Sequence, residues 1–234
     1  MKWISHRGES FDAPENSLAA FKKSAECGLG VELDVQPTKD GKIVVFHDGN
    51  VKRMCGVDKK ISEMTFEEVS ALRLNESEHK IPLFSEVLDV LGDVPVSCEI
   101  KTDGAAFDTD FLENTYQMLK EYKGDFNVIS FNPFVLEWFK NNHPEVIRGQ
   151  LSQDFSKEEK YKGKVLYLLL TNLMLNVLAR PDFIAYKHQD ASQISRRICR
   201  KLGALSVTWT IKSKEDYEKV KDDFDLFIFD SCRL

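Results

Sequence analysis

The feature of this chain that most restricts its fold is a regular alternation of strand and helix signals along nearly its whole length. Short apolar runs predict eight strands, at Lys2–Ser5, Gly30–Gln36, Val94–Lys101, Phe126–Ser130, Val146–Leu151, Asp182–Tyr186, Leu205–Ile211 and Asp225–Phe229. Helical patterns fall between them, at Pro14–Glu26, Pro82–Leu91, Asp110–Tyr122, Pro133–Asn142, Glu158–Ala179, Ala191–Leu202 and Glu215–Asp222. Parallel strands need crossovers of this kind, so the alternation predicts an α/β fold. Eight such strands suit a TIM (β/α)8 barrel of ~250 residues, and the chain has 234, read as one domain over 1–234. An open doubly wound sheet is the alternative, but no Gly-rich phosphate loop follows the first strand. The chain stops five residues after the last predicted strand, so the eighth helix of a barrel is expected to be missing or vestigial.

Two segments depart from the alternation. Thr38-Lys39-Asp40-Gly41-Lys42 precedes the apolar run Ile43–Phe46, and an Asp-Gly between such runs signals a hairpin. With Asp40 and Gly41 as the two turn residues, position 34 faces position 47, which brings His47 beside Asp34. Residues 49–80 then form a polar, irregular insertion after the second strand, read either as a solvated loop with one short helix around Thr65–Leu72 or as a segment that shapes the substrate pocket. In a barrel it would lie over the C-terminal face, where active sites are built.

Composition narrows the function. The net charge of −6 argues against a nucleic-acid surface, which needs clustered basic residues. It also makes an anionic substrate awkward unless a cation or a local basic pocket intervenes. Five irregularly spaced cysteines, with no CxxC pair, argue against a disulfide framework or a zinc site and fit a reducing compartment. The first residues lack an apolar leader core, so a cytoplasmic protein is expected. Val165–Leu178 is the longest apolar stretch; it is interrupted by Thr171, Asn172 and Asn176, and is read as a buried helix rather than a membrane span.

The candidate chemistry collects at strand ends. His6 and Arg7 close the first strand. Alone, His6 would pass for a core histidine and Arg7 for a surface charge; together they offer a proton donor and a bidentate phosphate contact. Glu32 and Asp34 lie two apart on one strand and so share a face. Buried like charges repel, so the pair demands a cation; a salt-bridged structural pair is the plainer alternative. Glu99 and Lys101 repeat the pattern on the next parallel strand. Three hard carboxylates suit one divalent cation, Mg²⁺ or Ca²⁺, and Lys101 can hold a phosphate or neutralise the carboxylates. His47 joins the set through the hairpin, giving two imidazoles for acid–base work. Asp48 could orient His47 or be a loop carboxylate. Phe131 and Trp209 are core aromatics or walls for an alcohol moiety.

On these residues the chain resembles the glycerophosphodiester phosphodiesterases, especially short bacterial-type members. The resemblance rests on His6-Arg7-Gly8 with Pro14-Glu15-Asn16-Ser17 and Ala20-Phe21, and on Glu32-Leu33-Asp34-Val35 with Thr38-Lys39-Asp40-Gly41 and Val45-Phe46-His47-Asp48. It continues in Ile81-Pro82-Leu83, Glu86-Val87-Leu88 and Glu99-Ile100-Lys101, and later in Ser130-Phe131 and Trp209-Thr210. It implies a TIM barrel that hydrolyses glycerophosphodiesters to glycerol 3-phosphate and an alcohol. It implies His6 and His47 as the acid–base pair, Glu32, Asp34 and Glu99 as ligands of a divalent cation, and Arg7 and Lys101 as phosphate-binding residues. Asn16 matches a motif position that would fix the loop after the first strand or start a helix. The partner expected is a small-molecule diester, with no nucleic acid and no stable membrane insertion. Lysophospholipids or polyglycerol phosphate are alternative substrates, and a catalytically silent phosphate-binding barrel is the rival of another class. The departures are Lys212, where the family usually has Asn, and Phe229-Asp230-Ser231-Cys232 in place of a Gly-containing segment leading to Thr-Asp and Pro.

Overall fold

The computed structural model describes residues 3–230; the expectations placed on Lys2, Ser231 and Cys232 lie outside them. The chain divides into two compact units, residues 3–126 with Asp230 and residues 127–229.

In the first unit β1 (Trp3–His6) and β4 (Val96–Ile100) flank β2 (Gly30–Pro37), both parallel to it. A strand enclosed on both edges and both faces must be apolar or internally paired. Accordingly Val31, Leu33 and Val35 are fully buried, and the polar residues between them are the candidate site. Helix α1 (Leu18–Glu26) lies between β1 and β2, and α4 (Phe84–Leu91) precedes β4. α1 starts four residues later than its sequence pattern predicts. Ser17 caps it, accepting from the Ala20 N–H, while Asn16 turns back to donate its backbone N–H to the Arg7 carbonyl at 2.8 Å. Pro14 to Asn16 therefore build the loop over β1 instead of a first helical turn. Gly8 in that loop has φ +82°, and a Cβ there would sit 2.8 Å from the Ala20 carbonyl carbon. Gly8→Ala is expected to cost at least ~1–2 kcal/mol from the left-handed backbone alone, seen as a melting temperature lower by at least about 2 °C.

The hairpin forms, with β3 (Ile43–Val45) antiparallel to β2, but its register is one residue from the expected one: Val35 pairs with Val45. The loop has three residues, Lys39 to Gly41, closed by the Thr38 N–H on the Lys42 carbonyl and ending in Gly41 at φ +75°. Phe46, not His47, therefore faces Asp34, donating its N–H to the Asp34 carbonyl; a one-residue slip exchanges the faces of a strand.

The insertion is more ordered than the polar loop expected. It carries α2 (Lys52–Cys55), α3 (Phe66–Ser70) and 3-10 turns. It closes over its own apolar cluster, in which Val51, Ile61, Val69 and Leu74 are fully buried with Val44 of β3. Spacing within the segment hid this core, because its members come from separate short turns. Asp40 of the hairpin loop accepts the Phe66 N–H at 2.9 Å and ties the insertion to the turn. α5 (Thr109–Glu121), capped by Asp108, completes the unit.

The second unit continues the alternation: β5 (Phe126–Ser130), α6 (Pro133–Asn142), β6 (Arg148–Ser152), α7 (Val165–Thr171), α8 (Asn176–Ala179), β7 (Phe183–Lys187), α9 (Ile194–Lys201), β8 (Leu205–Ile211), α10 (Lys214–Val220) and β9 (Leu226–Phe229). Each strand is parallel to the next. Eight parallel strands alternating with helices, plus one antiparallel strand, are thus present among the described residues. The buried helix expected over Val165–Leu178 is not found. Leu173, at φ 55°, breaks it into α7 and α8, and Val165, Leu168, Met174 and Val177 are exposed. A dense apolar run with so few polar breaks marks no single buried face, so the sequence alone misplaced it.

Candidate active site

The site lies in the first unit and follows from strand register. Residues paired side by side on parallel strands project to one face. His6 pairs with Glu32 and Asp34 with Glu99, while Glu32 and Asp34 share their face by period two. One carboxylate oxygen from each of Glu32, Asp34 and Glu99 lies within 4.8 Å of the others, and all three residues are buried.

Two cations are set among them. Lys101 lies 2.7 Å from Glu99 Oε1 and 3.4 Å from Asp34 Oδ1. Arg7, held at φ 58°, places Nε 3.3 Å from Asp34 Oδ2 and Nη1 2.8 Å from Glu15 Oε1. Asn16 donates to Asp34 Oδ2 at 2.9 Å, which gives that motif residue a contact in the site as well as its place in the loop.

The electrostatics separate the three carboxylates. Burial, then repulsion from Asp34 and Glu99, pushes Glu32 well above the usual carboxylate range. Burial likewise raises Glu99, against the attraction of Lys101. Burial also opposes ionisation of Asp34, but Lys101, Arg7, His47 and the Asn16 hydrogen bond together hold it well below its ordinary value. Three buried carboxylates thus face two cations, and Asp34 Oδ1 is buried without a hydrogen-bond partner. Such a set of hard oxygen donors, short of positive charge, fits a divalent cation.

Each of the two histidines is held at Nδ1 by a carboxylate. His6 Nδ1 meets Asp230 Oδ1 at 2.6 Å, with Nε2 turned to within 4.0 Å of Glu32 Oε2. Burial lowers the His6 pKa, against the Asp230 hydrogen bond. His47 Nδ1 meets Asp48 Oδ1 at 2.6 Å. Asp48 in turn accepts from Arg53 Nε, and Arg53 Nη2 donates to Glu15 Oε1 at 2.6 Å. A chain of charged contacts therefore runs from His47 through Asp48, Arg53 and Glu15 to Arg7. Although His47 does not face Asp34 in the ladder, it acts on the charge of both Asp34 and Glu99.

Beside His47 and Lys101 opens a groove of about 520 Å³. Phe107 and Phe111 line it, with Asn50, Lys60 and Ser62 of the insertion. Lys60 reaches Asp103 at 3.1 Å.

Three residues in this arrangement were not assigned from sequence. Glu15 stood in a quoted motif without a role. Arg53 lies in the insertion, where nothing local marks it. Asp230 was read only as a departure from the family ending, though its place after the last strand was a positional signal. Phe131 and Trp209 lie in the second unit, edge to face at 5.5 Å, with Trp209 Nε1 donating to the Ala185 carbonyl at 3.1 Å. His188 is buried there, its Nε2 3.6 Å from Asp216 Oδ1.

The fold is the TIM (β/α)8 barrel. A phosphodiesterase of Oleispira antarctica, solved in complex with the product sn-glycerol-3-phosphate, superposes with a TM-score of 0.80 over 98% of this chain and 93% of that one, at 23% identity. The glycerophosphodiester phosphodiesterase of Thermotoga maritima gives 0.74 over 98% and 94%, at 30% identity. Residues 6–222 match the glycerophosphoryl diester phosphodiesterase family, and a glycerophosphodiester phosphodiesterase of Caldanaerobacter subterraneus subsp. tengcongensis is 32% identical over 93% of this chain and 88% of that protein. The chain belongs to the glycerophosphoryl diester phosphodiesterase family, and it is an enzyme, a phosphoric diester hydrolase. No helix among the described residues is long and apolar enough to cross a membrane.

Proposed function

We propose that the enzyme hydrolyses glycerophosphodiesters to glycerol 3-phosphate and an alcohol, with His6 and His47 as the acid–base pair. The observation that carries this reading is the pair of Nδ1-anchored imidazoles, one hydrogen-bonded to Asp230 and one to Asp48, set with three buried carboxylates and two cations. A carboxylate at Nδ1 favours the Nδ1–H tautomer and leaves Nε2 to exchange a proton. Arg7 and Lys101 would receive the phosphate, the first through its planar fork and the second as a point charge. One imidazole takes a proton from the nucleophile at Nε2, and the other returns one to the departing alkoxide. The nucleophile is water or the neighbouring glycerol hydroxyl. Glu32, Asp34 and Glu99 would hold Mg²⁺ or Ca²⁺, which supplies Lewis-acid polarisation of a phosphoryl oxygen. The groove beside His47 would take the alcohol, with Phe107 and Phe111 as its apolar wall. Phe131 and Trp209 are proposed as secondary substrate contacts. The product named in the Oleispira relative supports glycerol 3-phosphate as the shared half of the substrate.

The test is a panel of glycerophosphocholine, glycerophosphoethanolamine, glycerophosphoglycerol and lysophospholipids, with glycerol 3-phosphate measured enzymatically. Release of glycerol 3-phosphate from the first three is expected. Turnover confined to lysophospholipids, or absent throughout, would replace this reading by the lysophospholipase D-like one or by a silent binding barrel.

A further inference from the structure

The segment from Lys157 to Lys201 differs in charge from the rest of the molecule. It holds ten Lys or Arg and four Asp or Glu, a surplus of six positive charges, so the remainder of this chain of net charge −6 carries −12. The same segment carries the apolar surface noted above. On α7 and α8, Leu168 is 61% and Val177 73% exposed, with Val165 and Met174 beside them. On α9, Ile194, Ile198 and Leu202 recur every four residues and so share a face, and Leu202 is 82% exposed. The two surfaces adjoin, because the end of α7 touches the start of α9: Ser195 Oγ donates to the Thr171 carbonyl and Gln193 Nε2 to Asn172 Oδ1, both at 3.3 Å. Exposed aliphatic side chains in this number on one unit mark a contact surface.

The charges around it identify the partner. Lys164, Arg180, Arg197 and Lys201 form no ion pair with a carboxylate among the described residues. Lys160 and Lys162 pair with Glu158 and Glu159. Tyr161 and Tyr167 stack at 4.0 Å at the edge of α7, with the Lys160 and Lys164 ammonium groups over their rings. A symmetric contact with a second copy would set one basic rim against another. An anionic bilayer offers the complement: acyl chains beneath a layer of negative headgroups, into which lysine and arginine stems extend and at which tyrosines settle.

We propose that α7, α8 and α9 form a peripheral docking face for an anionic lipid bilayer. The inference stands apart from the reaction assigned above, since it uses none of the residues placed there.

The experiment is co-sedimentation of the full chain with vesicles of phosphatidylcholine containing about 30% phosphatidylglycerol, and with phosphatidylcholine alone. Binding to the anionic vesicles is expected, falling with added salt. The double variant Leu168→Glu, Val177→Glu should lower partitioning at least about tenfold. Arg197→Glu with Lys201→Glu should do the same from the other helix, guarding against a local folding defect in the first. Hydrolysis of a water-soluble glycerophosphodiester should be unchanged in both, which separates failure of docking from failure of the diesterase reading. The proposal is overturned if the chain ignores anionic vesicles, or if neither variant alters binding. It is equally overturned if the face is found to hold two copies together in lipid-free solution, with the same substitutions splitting the dimer.

Discussion

Alanine at His47 is expected to lower kcat by about 10²–10⁴-fold, the range typical of losing a positioned general acid or base. Alanine at His6 should do the same. KM should move little in either variant, because Arg7 and Lys101, the residues proposed to receive the phosphate, remain. The two losses should differ in their dependence on the leaving group. Replacing the natural alcohol by an acidic phenol removes the need for a proton donor, so the variant lacking the acid should recover most of its rate, whereas the variant lacking the base should not. The comparison assigns the two roles. Wild-type turnover in His47→Ala would remove this residue from the mechanism. Asp48→Asn should give a smaller loss, through the Nδ1 contact it makes at 2.6 Å.

Thorough chelation is expected to abolish activity, and Mg²⁺ or Ca²⁺ to restore it; activity that survives chelation would count against the cation. A second readout does not depend on turnover. A cation bound only to the folded state raises stability by about 2.7 kcal/mol at a hundred times its Kd. The effect has a definite pH sign. The Glu32 carboxyl, pushed well above its ordinary range by burial and by Asp34 and Glu99, favours the folded state below the unfolded pKa, and that contribution is lost as pH rises through the folded pKa. The chelated protein should therefore lose melting temperature as pH climbs out of the carboxylate range. The cation should cancel much of this loss by stabilising the ionised carboxylates. Asp34 behaves oppositely: its depressed pKa contributes stability above the unfolded value, lost only in strong acid. Asp34→Asn should both prevent the cation-induced rise and leave Arg7 and Lys101 short of a partner.

The parts of this arrangement that were readable from sequence are those set by local periodicity. Glu32 and Asp34 announce a shared face because strands repeat every two residues, and the repeat of the pattern at Glu99 and Lys101 marks an adjacent strand. The hairpin was readable from Asp40-Gly41, but its register was not. Two- and three-residue loops use the same Gly, and only the closing Thr38–Lys42 hydrogen bond separates them. The start of α1 was hidden because Asn16 serves the loop over β1, a tertiary demand that overrides the helical signal. The Asp230 contact with His6 spans 224 residues and the Glu15–Arg53 pair 38, distances over which a single sequence carries no pairing information. Nor does a hydrophobic run say whether its surface meets the core or solvent, as Val165–Leu178 demonstrates.

Arg53 links the insertion to His47 by way of Asp48 and to Arg7 by way of Glu15. With the roles proposed above, substrate range and catalytic rate would not be independent traits in this enzyme. Grafting the 49–80 segment from a relative, to change which alcohol is accepted, would also swap out the brace that aligns an imidazole and a guanidinium. Such chimeras should run slowly on every substrate unless an arginine is kept at position 53, and any evolutionary drift toward a new alcohol would have to pass through sequences that preserve it.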